Sequence, residues 1–153
     1  MSFHPHVTVA ALIKQGERYL MVEEGDRQAS VFNQPAGHIE AGETAVQACV
    51  REVLEETGWD VKVAHLIGVY VYSAPNGVTY YRFGFAAEPV QQTQHTLDSD
   101  IIAAHWLTYD ELYALQKTGR LRSPLVMQLI DDDRAGQQFP LSLIHEGFHV
   151  TQQ

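Results

Sequence analysis

Residues 37–59 run GHIEAGETAVQACVREVLEETGW. From Thr44 to Thr57 the chain holds no Gly or Pro and is rich in Ala, Glu, Val and Leu. Gly58 follows where a left-handed C-cap is expected, so the spacing predicts a helix. At about 100° per residue, Cys49, Val53, Val46, Val50 and Leu54 share one broad stripe, the expected core side. On the other side Glu52, Glu55 and Glu56 converge at i, i+3 and i+4, with only the small Ala45 and Ala48 beside them. The expectation is an open acidic patch.

Such a patch is electrostatically poor by itself. Like charges at i, i+4 repel, and carboxylates near a helix C-terminus meet the negative end of its dipole, each effect costing roughly 0.3 to 1 kcal/mol. A divalent cation reverses both effects. Mg2+ suits the place, because it takes a few carboxylates, keeps several waters and shares its other positions with phosphates. The ordinary reading of an acidic triplet is a solvated face, with Arg51 pairing to Glu55 at i, i+4.

Composition bears on the choice. The chain has 153 residues, 45% of them apolar, which suits one domain, 1–153, that buries its own core. Its formal net charge is -9, with only 10 Lys and Arg, which argues against nucleic acid or an anionic membrane as partner. If the ligand is still a polyanion, a cation must bridge the two. Cys49 is the single cysteine, so an intrachain disulfide or a Cys-rich zinc site is excluded and a reducing compartment fits. The first residues lack a basic, then apolar, leader pattern, and no run of about 18 apolar residues occurs. A cytoplasmic protein with no membrane partner is expected, and a monomer.

Working outward, Val7–Ile13 and Tyr19–Val22 flank a polar turn and predict a hairpin. Phe32–Gly37, interrupted by Pro35, predicts a functional loop. Val61–Tyr72 and Val78–Ala87 flank Asn76-Gly77 and predict a second, longer hairpin. Ile101–Leu107 reads as a strand, Thr108–Glu111 as a helix start with capping-box spacing, and Ser123-Pro124 as the opening of a helix to about Arg134. A mixed sheet covered by helices satisfies this order.

The same 37–59 stretch resembles the Nudix box, G-x5-E-x7-R-E-U-x-E-E-x-G-U with U a bulky aliphatic. Gly37, Glu43, Arg51, Glu52, Val53, Glu55, Glu56 and Gly58 match, and Trp59 departs from the aliphatic position while remaining bulky and apolar. The segments PHVTVA, FNQPAGHIEAGET, DSDI and LRSPLV, from Pro5 to Val126, are similar to a bacterial phosphatase subgroup of that family. The resemblance implies the family's α/β/α sandwich with a mixed sheet and hydrolysis of a phosphoanhydride. Subgroup members release orthophosphate from nucleoside di- and triphosphates and act on hydroxymethylpyrimidine pyrophosphate and thiamine pyrophosphate.

On this resemblance Mg2+, with Mn2+ as substitute, is held by Glu52, Glu55, Glu56 and the Gly37 carbonyl, and Arg51 orients Glu52 or another box carboxylate. Glu43 caps and braces, or acts near the water, and the first role is favoured. The expected reaction is substitution at phosphorus by a cation-activated water. Its general base is a box glutamate or a carboxylate before the last strand, Asp100 first and Asp98 second. Phe32, Tyr72, Tyr80, Tyr81 and Phe85 offer stacking, and Asn33, Gln34 and Arg82 polar readout, though strand aromatics are more often core. His4 and His6 lack a third zinc ligand at a suitable spacing, and His38 is a further phosphate contact candidate. Two other classes compete: a nucleotide-sensing module without catalysis, which would tolerate loss of the acidic residues, and an isomerase on the same scaffold, for which Cys49 sits on the wrong side of the helix.

Overall fold

The computed structural model describes residues 2–146. Its centre is the first apolar run. β1 (His6–Gln15) is buried without interruption from Thr8 to Ile13, the signature of a strand covered on both faces. β6 (Thr79–Gln92) pairs with it in parallel, from His6↔Tyr80 to Ile13↔Ala87. β5 (Trp59–Ser73) lies antiparallel beside β6. These last two strands are the longer expected hairpin, and the turn between them passes through Gly77 at φ 86.

The first expected hairpin is real only at its turn. β2 (Arg18–Glu24) pairs with β1 at Lys14↔Tyr19 and Gln15↔Arg18, then diverges to pair with β7 (Ile101–Thr108) and β3 (Val31–Asn33). β1 meanwhile takes β4 (Ala36–His38) on the edge that β2 has left. The segment expected as a loop therefore fills this fork, as two short strands broken at Pro35, whose missing N–H cannot serve a ladder.

Side chains alternate across the sheet. Val9, Ala11, Ile13, Leu20, Phe85 and Ala87 pack towards α1 (Ala45–Thr57). Ala10, Leu12, Tyr19, Met21 and Ala86 pack towards α2 (Tyr109–Lys117) and α3 (Leu125–Arg134). The result is the expected α/β/α sandwich with a mixed sheet.

The helix ends follow the local chemistry. Thr44 caps α1 by accepting from the Gln47 N–H at 3.1 Å while the Gln47 side chain accepts from the Thr44 N–H at 2.9 Å. Gly58 closes it in the left-handed region at φ 76, its N–H bonded to the Leu54 carbonyl. Thr108 accepts from the Glu111 N–H and Ser123 from the Leu125 N–H, both at 3.2 Å. After α3 the chain returns to α1: Phe139 exchanges backbone hydrogen bonds with Leu66, and the Glu146 carboxylate accepts from the Ala45 N–H at 2.8 Å.

One expectation about α1 is corrected. Ala45 and Ala48 are fully buried, while Val46, Val50 and Leu54 are only partly so. The two alanines let the helix approach the sheet closely, which turns its acidic face inward; Glu56 is 6% exposed. The patch is covered, not open.

Candidate active site

The carboxylates of α1 meet two other elements. Glu56 Oε1 accepts from the Ala36 N–H at 2.8 Å, at the start of β4. A Cβ placed on the next residue, Gly37, would overlap the Glu52 carboxylate, so glycine here lets that carboxylate keep its place against β4. On the far side, the loop before β7 is tied to the end of α1. Thr93 donates to the Gly58 carbonyl through its N–H (2.8 Å) and its hydroxyl (2.7 Å), and the Asp98 N–H donates to the Glu55 carbonyl at 2.9 Å. These bonds satisfy carbonyls that the helix end leaves unpaired. They also bring the Asp98 carboxylate to Glu52 and Glu56, with one oxygen of each within 4.8 Å of the others.

Arg51 is the hub beside this cluster. Its fork takes Glu43 in two bonds, Nε to Oε2 at 3.0 Å and Nη2 to Oε1 at 2.6 Å. Nη1 donates to Glu52 at 2.8 Å and to Glu55 at 3.1 Å, and Nη2 to the His38 carbonyl at 3.0 Å. Glu43 also accepts from the Glu40 N–H, so it braces the loop and Arg51, whereas Thr44 is the cap. Arg51 thus fixes the rotamers of Glu52 and Glu55 and the path of β4 together.

The electrostatics of the cluster are unbalanced. Burial, helped by Glu52, Glu24 and Asp100, pushes the Glu56 carboxyl up to about 9 against the pull of the Ala36 N–H. Glu52 is also raised, chiefly by burial, although Arg51 opposes it. Glu52, Glu56 and Asp98 thus form a cluster of three converging carboxylates, one of them deeply buried, the donor set that a divalent cation takes. Glu55 is turned to Arg51 and does not enter the close group, which Asp98 completes. Asp100 lies outside that group, beside the end of β2, where its carbonyl accepts from the Gly25 N–H at 3.2 Å.

A cavity of about 500 Å³ opens beside the cluster. Its lining includes Ala36, Gly37, Glu24, Asn33, Tyr72, Tyr80, Arg82, Arg122 and Ser123, so a carboxylate, two guanidiniums and two aromatic rings share it, with Arg122 Nη1 3.7 Å from Glu24. Of the expected recognition residues it brings in Asn33 and Arg82 but neither Phe32 nor Gln34. For Phe32 the reason is strand alternation in β3, which turns it away from the side that Asn33 faces; Gln34 follows the strand and turns inward. Phe32 lies under the Arg120 guanidinium, 5.2 Å from its ring centroid, and Gln34 is buried with Nε2 bonded to the Val126 carbonyl at 2.8 Å. Phe85 is core, and Tyr81 faces solvent from outside the cavity. His6 is paired with His38 at 2.9 Å, with the Tyr80 ring against both, so the imagined His4–His6 metal pair is replaced by an aromatic rim.

Glu24 and Arg122 were not legible as site residues. Glu24 ends β2 and reaches the cavity through the β2–β3 pairing, and burial raises its carboxyl while Arg122 lowers it. A charged residue at the end of an apolar strand was the only available signal.

A sheet forked around a glycine-bearing strand, with a capped helix presenting carboxylates into that fork, is the scaffold of one class of hydrolase. The chain belongs to the Nudix family, whose NUDIX domain model matches residues 3–129. It is 42% identical over 144 residues to Phosphatase NudJ of Shigella boydii serotype 4 (strain Sb227), covering 93% of this chain and 92% of that one. Phosphatase NudJ of Escherichia coli (strain K12) is 41% identical over the same shares. A NUDIX hydrolase from Nitrosomonas europaea superposes with a TM-score of 0.89 at 46% identity, covering 94% of this chain and 98% of that one. The chain is therefore an enzyme, a hydrolase of the pyrophosphate type. No helix among the described residues is long and apolar enough to cross a membrane.

Proposed function

We propose that the enzyme uses Mg2+, or Mn2+ in its place, to hydrolyse a phosphoanhydride bond in a nucleoside di- or triphosphate, or in hydroxymethylpyrimidine or thiamine pyrophosphate, with release of orthophosphate. The observation that carries this reading is the convergence of Glu52, Glu56 and Asp98 against Ala36 and Gly37, which line a cavity shared with Arg82, Arg122, Tyr72 and Tyr80. The relatives named phosphatases support orthophosphate as the product.

Glu52, Glu56 and Asp98 would hold the cation, with the Gly37 carbonyl and, if it turns from Arg51, Glu55 as further donors. When bound, it supplies charge neutralisation at phosphoryl oxygens and a lowered pKa for water. Glu43 holds Arg51, and Arg51 holds Glu52 and Glu55, so that no carboxylate needs to reorganise as substrate arrives. Asp100 accepts the proton of the attacking water at its carboxylate. Tyr72 and Tyr80 flank the organic part of the substrate. The reading includes a single domain over residues 1–153, acting as a cytoplasmic monomer on a small molecule and not on nucleic acid, in keeping with a net charge of -9.

The test is a screen of nucleoside di- and triphosphates, thiamine pyrophosphate and hydroxymethylpyrimidine pyrophosphate with and without Mg2+, the products resolved as orthophosphate or pyrophosphate. Metal-dependent orthophosphate release is expected. Hydrolysis without metal, or pyrophosphate as the only inorganic product, would overturn the reading.

A further inference from the structure

Arg82 is 7% exposed, yet it lines the cavity. A guanidinium carries five N–H donors, and this one makes a single hydrogen bond, Nη2 to Asn33 Oδ1 at 3.1 Å, and no ion pair among the described residues. Glu24 and Glu56 act on its charge only from a distance. A buried cation with idle donors is costly unless an anion completes it.

The surroundings fit an anion. Arg122 lines the same cavity, anchored by its backbone N–H to the Phe32 carbonyl at 2.9 Å, with its side chain 61% exposed and 3.7 Å from Glu24. Ser123 accepts from the Leu125 N–H, which leaves its hydroxyl proton free to donate at the positive end of α3. In a chain with only 10 Lys and Arg residues, two of them line one cavity.

We propose that Arg82, Arg122 and Ser123 seat the terminal phosphoryl group of the substrate and hold it as the departing orthophosphate. This rests on the hydrolase reading above. The penultimate phosphorus then lies at the carboxylate cluster. Water oxygen bonds to that phosphorus, its proton passes to the base, and the bridging P–O bond breaks with its electron pair and oxygen leaving on orthophosphate.

Two measurements test the seat. Hydrolysis of a nucleoside triphosphate in H2(18)O should place the label in the nucleoside diphosphate and not in orthophosphate; label in orthophosphate would overturn the arrangement. Independently of turnover, calorimetric titration of the Mg2+-saturated protein with inorganic phosphate should show binding that Arg122→Met and Arg82→Met each weaken at least about tenfold. Arg82→Lys should recover part of the loss. Arg122 is exposed, so its variant reads the seat even if Arg82→Met fails to fold. No phosphate binding by the wild type, or equal binding by a folded Arg122→Met, would contradict the proposal. Phosphate binding lost in the variants of a protein that hydrolyses none of the screened compounds would sustain the seat while the hydrolase reading fell.

Discussion

Glu52, Glu55 and Glu56 come from the last turns of one helix, whereas Asn33, Tyr72, Arg82 and Arg122 come from four separate segments of the chain. The helix carboxylates are set by local devices: a capping box at Thr44, a left-handed Gly58 and a single arginine fork. The recognition residues meet only once β3 has paired with β2 and α3 has docked on the sheet. The glutamates are thus held mostly by short-range geometry, with Asp98 drawn in by its bond to Glu55, and recognition by tertiary assembly. Substitutions at the first should remove turnover and spare the fold, while substitutions at the second should change affinity and selectivity.

The sharpest way to break that contrast is at Glu56 and Glu52. Glu56→Gln and Glu52→Gln keep shape and remove the charge, and each should lower kcat on the order of 10^3-fold, because cation chemistry contributes several kcal/mol. Steady-state kinetics at saturating Mg2+, with circular dichroism unchanged, checks this. Next, Asp100→Asn should lower kcat by about 10^2-fold, the scale of general base catalysis. Divalent affinity should barely move in that variant, whereas Asp98→Asn should weaken the metal first; kinetics over a Mg2+ titration separates the two.

Arg51→Lys should cost less, about 10- to 100-fold in metal affinity or activity, as expected when a group that orients ligands is lost. An ammonium keeps the charge but cannot hold Glu43 with two bonds while reaching Glu52 and Glu55. If lysine restored full activity, the fork would be dispensable.

The smallest effect is on stability. Glu56 has its carboxyl raised from 4.5 to about 9. Between those values the native state holds a proton that the unfolded chain has released, so stability of the metal-free protein falls as pH rises through that window. Thermal melts at about pH 6 and about pH 8 should show the decline. Saturating Mg2+ or Glu56→Gln should flatten it, while Arg82→Lys, at the recognition end, should not.

The same contrast explains what the sequence revealed. α1, its C-cap and the long hairpin were legible, because periodicity, Gly58 and Asn76-Gly77 act within a few residues, whereas the N-cap expected at Glu43 is Thr44. So was β1 as a strand, since Val7–Ile13 is rich in β-branched and apolar residues. The fork between β1 and β2 was not, because no residue in the first hairpin announces that β4 will replace β2 beside it. Phe32 and Gln34 were taken with Asn33 as one recognition segment, whereas β3 turns Phe32 away from the side that Asn33 faces and Gln34, following the strand, turns inward. Ala45 and Ala48 read as a bare surface because their size was credited to openness, when it permits close packing. Asp98 stood second to Asp100 as a base, and its backbone bond to Glu55, invisible in sequence, draws it into the cluster.

The central claim is that Glu52, Glu56 and Asp98 hold the divalent cation on which hydrolysis depends. Titration with Mn2+, followed by its electron paramagnetic resonance in wild type and in Glu56→Gln, tests it without reference to any substrate. The account predicts saturable binding by the wild type and at least about tenfold weaker binding by the variant. Equal binding by both proteins would contradict it.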